Sequence, residues 1–158
     1  MTGSDLPRSS SGRSAAEVVE QAVREAGETL RDAFRGAVEV ERKGRGNYVT
    51  DVDVQIEEAV VGLLRREFPD LGVIGEESGT TTGTSGFSWV VDPIDGTANF
   101  SRGIPHFATT AALLGPGGEP VLGCTYDPIR DDFFTASVGG GAFVNGKPMK
   151  PGSLETIS

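Results

Sequence analysis

Apolar residues recur along the first part of this chain at three- and four-residue steps. Val19, Val23, Ala26, Leu30, Ala33 and Ala37 follow one another between glutamates and arginines. That spacing gathers them on one face of an α-helix and predicts a helix from Ala15 to about Val40. Gly27 and Gly36 weaken it slightly. The run Arg42 to Asn47 (RKGRGN) ends it, and Tyr48 to Thr50 reads as a short strand. A second helix is predicted from about Asp51 to Phe68, with Val52, Ile56, Ala59/Val60 and Leu63/Leu64 as its stripe. Thr50 stands three residues before Asp53, a capping-box spacing with Asp in place of the usual Glu. Pro69 then disfavours helix at Phe68.

Beyond Pro69 the pattern shortens. "LGVIGEES" predicts a short apolar strand ending at two glutamates, "GTTTGTSG" a flexible loop, and "FSWVV" a buried strand. "HFATTAALL" alternates poorly but is apolar and of strand length. "PVLGCTYD" and "DDFFTAS" read as strands joined by the turn "DPIR", and "GGGAFVNGKPM" as one more strand with a hairpin turn at Asn145-Gly146. Two helices followed by strands predict an α+β, layered α-β fold: two N-terminal helices packed on a mostly antiparallel sheet. Residues 1–14, rich in Ser, Gly and Arg, are expected to be a disordered tail before a domain spanning 15–158.

Composition narrows the partners. The 158 residues are 37% hydrophobic and 23% charged, as expected of a soluble globular domain with a real core. The net charge of −9, with no Lys/Arg cluster, argues against nucleic acid as a partner. No apolar run reaches the roughly 18 residues of a membrane span, and the N-terminus has no apolar segment of the secretory type. The single cysteine, Cys124, excludes an internal disulfide, fits a reducing cytoplasm, and lies in an apolar run that reads as core.

The candidate chemistry lies in "WVVDPIDGTANF", Trp89 to Phe100. A strand is expected to end at Asp92, with Pro93 keeping Asp92 extended and Pro93-Ile94-Asp95-Gly96 forming a tight turn. Thr97 to Arg102 can open a short helix that Gly103 stops. Two carboxylates then bracket a turn, and the amides of Gly96 and Thr97 at a helix start offer a seat for phosphate. Carboxylates beside a phosphate seat suit Mg²⁺, a hard cation that prefers oxygen. The same tetrad is also an ordinary surface turn. Two features favour the metal reading: Asp92 ends a buried strand, and "GEES" places a second acidic site at another apolar strand end.

These residues resemble the inositol monophosphatase family. "WVVDPIDGTANF" is similar to its signature, "VIGEES" (Val73 to Ser78) to its upstream acidic motif, "VTDVD" (Val49 to Asp53) to an earlier aspartate motif, and "GAFVNGKP" to a later hairpin. The order and spacing agree from about Ala15 to Pro148. The resemblance implies the N-terminal half of the sugar-phosphatase fold and Mg²⁺-dependent, lithium-sensitive hydrolysis of a small phosphate monoester, with two or three ions per complete site. It implies that Glu76, Asp92 and the Ile94 carbonyl hold one metal, and that Asp92 and Asp95 hold a second. Thr97, paired with Asp53, would orient the attacking water, and Glu76 a further one. Asp95 and the Gly96 and Thr97 amides would meet the phosphate. The implied partner is a phosphorylated polyol, with inositol monophosphate leading and neither nucleic acid nor membrane involved; a homodimer is left open.

Each residue has a plainer reading. Asp53 and Thr97 could serve only as helix caps, Glu76 as an exposed charge, and Glu77 as its solvated neighbour. His106 reads as packing or hydrogen bonding rather than a base, and Asp127, Asp131 and Asp132 as surface charges. Gly139 to Gly141 lack the lysine-serine pair of a nucleotide loop.

One departure matters. The family's second half carries another metal-binding aspartate in a Trp-Asp context, and Trp89 is the only tryptophan here. The chain is therefore expected to be the N-terminal part of such a domain, weak or inactive alone, with a face left uncovered. Ala98 stands where many members have threonine. Family branches acting on histidinol phosphate, fructose bisphosphate or bisphosphate nucleotides remain open. So does a haloacid-dehalogenase-type site at Asp51, although "NYV" is a short strand for it. A third class is a non-catalytic remnant that binds metal or a partner protein.

Overall fold

The computed structural model describes residues 6–35, 40–43, 47–150 and 152, with side chains at 35 and from 40 to 50 left aside. Helix α1 spans Ala15–Arg35 and buries Val18, Val19, Ala22, Val23, Ala26 and Leu30. It stops short of the expected Val40, which instead begins strand β1 (Val40–Lys43), paired antiparallel with β2 (Asn47–Thr50). The expected last turn around Ala37 lies outside the described residues. Helix α2 spans Asp51–Glu67, as its stripe predicted, and buries Ile56, Val60, Val61, Leu63 and Leu64.

An eight-stranded sheet follows. Its strands are β3 (Gly72–Gly75), β4 (Gly79–Thr81), β5 (Ser88–Asp95), β6 (Ala108–Leu114), β7 (Pro120–Asp127), β8 (Asp132–Ser137), β9 (Gly141–Val144) and β10 (Lys147–Pro148). The spatial order is β10-β9-β8-β7-β6-β5-β3-β4. β3 runs parallel to β5 and the other neighbours are antiparallel. The parallel step is possible because the chain returns from β3 through β4 and a loop, rather than through a tight hairpin.

Both helices lie on one face of the sheet, α1 against β6 and β7 and α2 against β3 and β5. Trp89, Val91, Ala111, Leu113, Leu122 and Cys124 fill the layer between. The Cys124 thiol is pushed up to about 12 by burial, which keeps it inert at ordinary pH. The expected poor alternation of β6 is resolved by its burial. Thr109, Ala111 and Leu113 are buried while Ala108, Thr110, Ala112 and Leu114 are half-buried. The hydroxyl of buried Thr109 is satisfied by donating to the Pro93 carbonyl at 2.9 Å.

Residues 6–14, expected within a disordered tail, form a hydrogen-bonded turn. Ser10 N donates to the Glu67 carbonyl at 2.7 Å, and the Arg13 amide donates to Ser9 Oγ at 2.9 Å. Ser14 and Glu17 form a capping box at the start of α1: Ser14 N donates to Glu17 Oε2 at 2.8 Å, and Glu17 N donates to Ser14 Oγ at 3.2 Å. The Asn145-Gly146 turn is as expected, with both residues at positive φ (48° and 73°) between β9 and β10.

Candidate active site

The expected strand end at Asp92 is corrected by the pairing. β5 continues to Asp95, with Asp92 opposite Thr110 and Asp95 opposite Ala108. Three steps on β5 therefore match two on β6, which is a bulge of one residue. Proline has no N–H to give to a ladder, so Pro93 is tolerated at such an irregularity. The bulge turns the chain while keeping Pro93 and Ile94 buried, and it leaves Asp92 half-buried and Asp95 exposed.

Gly96 follows at φ 97°, in the left-handed region, and caps helix α3 (Thr97–Ser101). A Cβ here would stand 3.0 Å from the His106 carbonyl oxygen, so glycine answers both the backbone angle and the close approach. The Gly96 carbonyl accepts the amides of Asn99 (2.8 Å) and Phe100 (3.1 Å), and among the described residues no side chain caps the helix start. The first amides of a helix lack intrahelical acceptors and face outward. Three phenylalanines anchor this corner. Phe34 on α1 packs on Phe107 (4.9 Å between centroids) and Phe100 (5.9 Å), which meet edge to face at 5.2 Å. Asn99 Nδ2 donates to the His106 carbonyl at 2.8 Å. His106 thus contributes its backbone carbonyl while the residue itself stays exposed.

Glu76, at the carboxyl end of β3, and Asp95 both act on Asp92. Its carboxyl is pushed up to about 6, first by burial, then by the charges of Glu76 and Asp95. Asp92 Oδ1 is buried and has no hydrogen-bond partner among the described residues. Among the described residues the three carboxylates do not close into a ready three-ligand cluster. Mutual repulsion of like charges opposes that closure.

The Thr97 hydroxyl donates to the Ile94 carbonyl at 2.8 Å. Asp53 itself is buried in the first turn of α2. The Ile94 carbonyl keeps a second lone pair for another partner.

A cleft of about 470 Å³ opens beside Asp95 and Gly96 and is lined by Asn99, Thr125, Asp127, Arg130 and Asp132. Of the expected site residues it reaches Asp95 and Gly96 but not Glu76, Asp92 or Thr97. The three aspartates read as surface charges are each held by a bond. Asp127 pairs with Arg130 at 2.5 Å, Asp131 accepts from the Tyr126 hydroxyl at 2.7 Å, and Asp132 accepts from Asn145 Nδ2 at 3.0 Å.

Sequence reasoning passed over Glu57. It sits one turn after Asp53 on the buried stripe of α2 and is 1% exposed. Its carboxylate accepts the amide of Glu77 at 2.8 Å and that of Ser78 at 2.6 Å. The available signal was a carboxylate at an apolar-stripe position.

Two helices on one face of a mostly antiparallel sheet, with acidic residues at the carboxyl ends of its two parallel strands, define a layered α+β fold with an acidic edge. The crystal structure of extragenic suppressor protein suhB from Bartonella henselae shares it, with a TM-score of 0.81 and 36% identity over 87% of this chain and 54% of that one. So does inositol monophosphatase from Anabaena (Nostoc) sp., with a TM-score of 0.74 and 30% identity over 87% and 49%. This chain belongs to the inositol monophosphatase family, whose model matches residues 13–158. Curated relatives include Nus factor SuhB of Xylella fastidiosa, 38% identical over 91% of this chain and 52% of its own length. Inositol monophosphatase 1 of Solanum lycopersicum is 38% identical over 89% and 52%. The chain thus spans about half the length of the curated relatives it matches.

Proposed function

We propose that this chain carries the first part of a Mg²⁺-dependent phosphomonoesterase site, with inositol monophosphate as the leading substrate and the cytoplasm as its setting. The observation that carries the reading is the buried, unpartnered Asp92 Oδ1 pressed by Glu76 and Asp95. A buried acceptor among carboxylates fits a hard cation better than it fits solvent. Glu76, Asp92, Asp95 and the Ile94 carbonyl are the residues that would hold the metal. Bound Mg²⁺ would polarise the phosphoryl group and lower the pKa of a water toward neutrality.

The chain's own groups supply orientation. The amides of Gly96 and Thr97 stand at a helix start suited to phosphate oxygens. Thr97 Oγ1, its proton already donated to Ile94, can accept a hydrogen bond from a water and so aim that water's oxygen. Asp53, buried on α2, would support that water from behind. On this reading a further ligand and the wall that reads the alcohol portion would come from outside these residues, since the chain spans about half the length of its relatives. We therefore expect weak or no hydrolysis by this chain alone.

Calorimetry with Mg²⁺, followed by a panel of phosphate monoesters, tests both parts. Mg²⁺ binding that disappears in Asp92→Asn supports the site. Robust Mg²⁺-dependent turnover of inositol monophosphate by these 158 residues, lost in Asp95→Asn, would overturn the expectation of low activity. Relatives named as Nus factors favour a second reading, in which the chain acts by binding a protein partner. A stable stoichiometric complex with inactivity toward every ester would support it.

A further inference from the structure

Glu57 has no part in the family resemblance drawn above, yet its surroundings are unusually specific. A buried carboxylate is costly unless its oxygens are satisfied. Here both are: Oε2 takes the Glu77 amide and Oε1 the Ser78 amide. These are the two amides that follow Glu76. A Cβ on Gly75, the residue before Glu76, would fall 2.5 Å from Glu57 Oε1 and 2.5 Å from Ser78 Oγ. The α2 carboxylate therefore sits directly against the backbone at the end of β3, with no side chain between them. A neutral amide in its place would present a donor to one of two donors. A carboxylate is the side chain that can accept twice, in parallel, from consecutive amides. Its stem rises from the same helix face as Asp53, four residues earlier.

We propose that Glu57 is a positioning residue: its two-amide grip on the turn after β3 holds Glu76 facing Asp92 and so sets this carboxylate pair for a divalent cation. The inference rests on the cation reading of the site given above. Glu57 touches neither cation nor substrate; it acts through the backbone on either side of Glu76. A grip that only stabilised the fold would be indifferent to the cation. A grip that positions Glu76 is coupled to it, and coupling is reciprocal, so the cation must tighten the grip in return.

The test uses the 158-residue chain itself, with Mg²⁺ as the probe. Calorimetry first establishes whether wild type binds Mg²⁺. Amide hydrogen exchange is then read at Glu77 and Ser78 with and without saturating Mg²⁺, against the Thr125 amide in β7 as reference. We expect Mg²⁺ to slow exchange at Glu77 and Ser78 at least about fivefold more than at Thr125. In folded Glu57→Gln, Mg²⁺ binding should weaken about tenfold or more, with part of it restored in Glu57→Asp. Wild type that binds Mg²⁺ with no selective slowing at these two amides would overturn the positioning role, whether or not the variants fold. Wild type that does not bind Mg²⁺ would overturn the cation reading, and this inference with it.

Discussion

Replacing Asp92 by asparagine should make the metal-free chain more stable while removing its affinity for Mg²⁺. The substitution keeps the shape of the side chain and deletes its charge. In the folded chain the Asp92 carboxyl titrates at about 6 rather than 3.8, because burial, Glu76 and Asp95 all disfavour the ionised form. The folded state therefore holds the proton more tightly than the unfolded state does. Above about pH 6 both states are ionised and the fold carries the full penalty; below about pH 4 both are protonated and the penalty is gone. A shift of about two pH units corresponds to a ceiling of about 3 kcal/mol. Asp92 is only half-buried, and solvent screening brings the expected gain to about 1–2 kcal/mol. Urea unfolding in EDTA should show Asp92→Asn more stable than wild type by that amount near neutral pH, with the difference closing by about pH 4. Calorimetry should show the opposite ranking for Mg²⁺. Wild-type affinity should itself fall as the pH drops below about 6, since a proton then competes for the same oxygens. A metal-free Asp92→Asn that is less stable than wild type near neutral pH would refute the reasoning. So would unchanged Mg²⁺ affinity.

Two further substitutions test the packing that carries the site. Gly27→Ala should gain about 1 kcal/mol of helix propensity yet still destabilise. Its Cβ would stand 2.6 Å from Tyr126 Cε1, and overpacking of that kind costs about 1–3 kcal/mol; a raised urea midpoint would contradict it. Asn145→Ala should cost about 1–3 kcal/mol in the same assay. It places alanine at φ 48° and removes both the acceptor of the Phe133 amide and the donor to Asp132. Asn145→Gly should recover the backbone share but not the hydrogen bonds.

Much of the fold was legible because its signals are local. The stripes of α1 and α2, the run "FSWVV" and the Asn-Gly hairpin each declare themselves within a few residues. Where the sequence misled, burial and chemistry had parted company. β6 looked irregular because a polar threonine, Thr109, faces the helices while alanines occupy both faces of the strand. The Pro93 hydroxyl-accepting carbonyl explains why that threonine can be buried there, and nothing near Thr109 in sequence announces it. The turn composition of Pro93-Ile94-Asp95-Gly96 predicts a strand end at Asp92, yet a one-residue bulge lets pairing resume at Asp95. The Ser14–Glu17 capping box is written in the sequence as Ser-x-x-Glu, beside a stretch whose Ser- and Gly-rich composition predicts disorder.

The candidate site divides along the same line. Asp92, Pro93, Ile94, Asp95, Gly96 and Thr97 lie within one short stretch, so their types and spacing were enough to single them out. A motif names donors and acceptors but not the direction of each bond. The resemblance pairs Thr97 with Asp53, and nothing in the motif shows that the Thr97 hydroxyl also donates to the Ile94 carbonyl. Glu57 was less visible still, because its partners are backbone amides twenty and twenty-one residues away. Amides are present at every non-proline position, so no residue type marks them as the target. What does mark the case is a contradiction within α2: two carboxylates, Asp53 and Glu57, stand on a stripe that otherwise holds Ile56, Val60, Val61, Leu63 and Leu64. A charge on an apolar stripe must find partners across the core or weaken the fold. The donors that satisfy Glu57 are the two amides of the turn after β3, and they tie α2 to the Glu76 carboxylate that the turn presents.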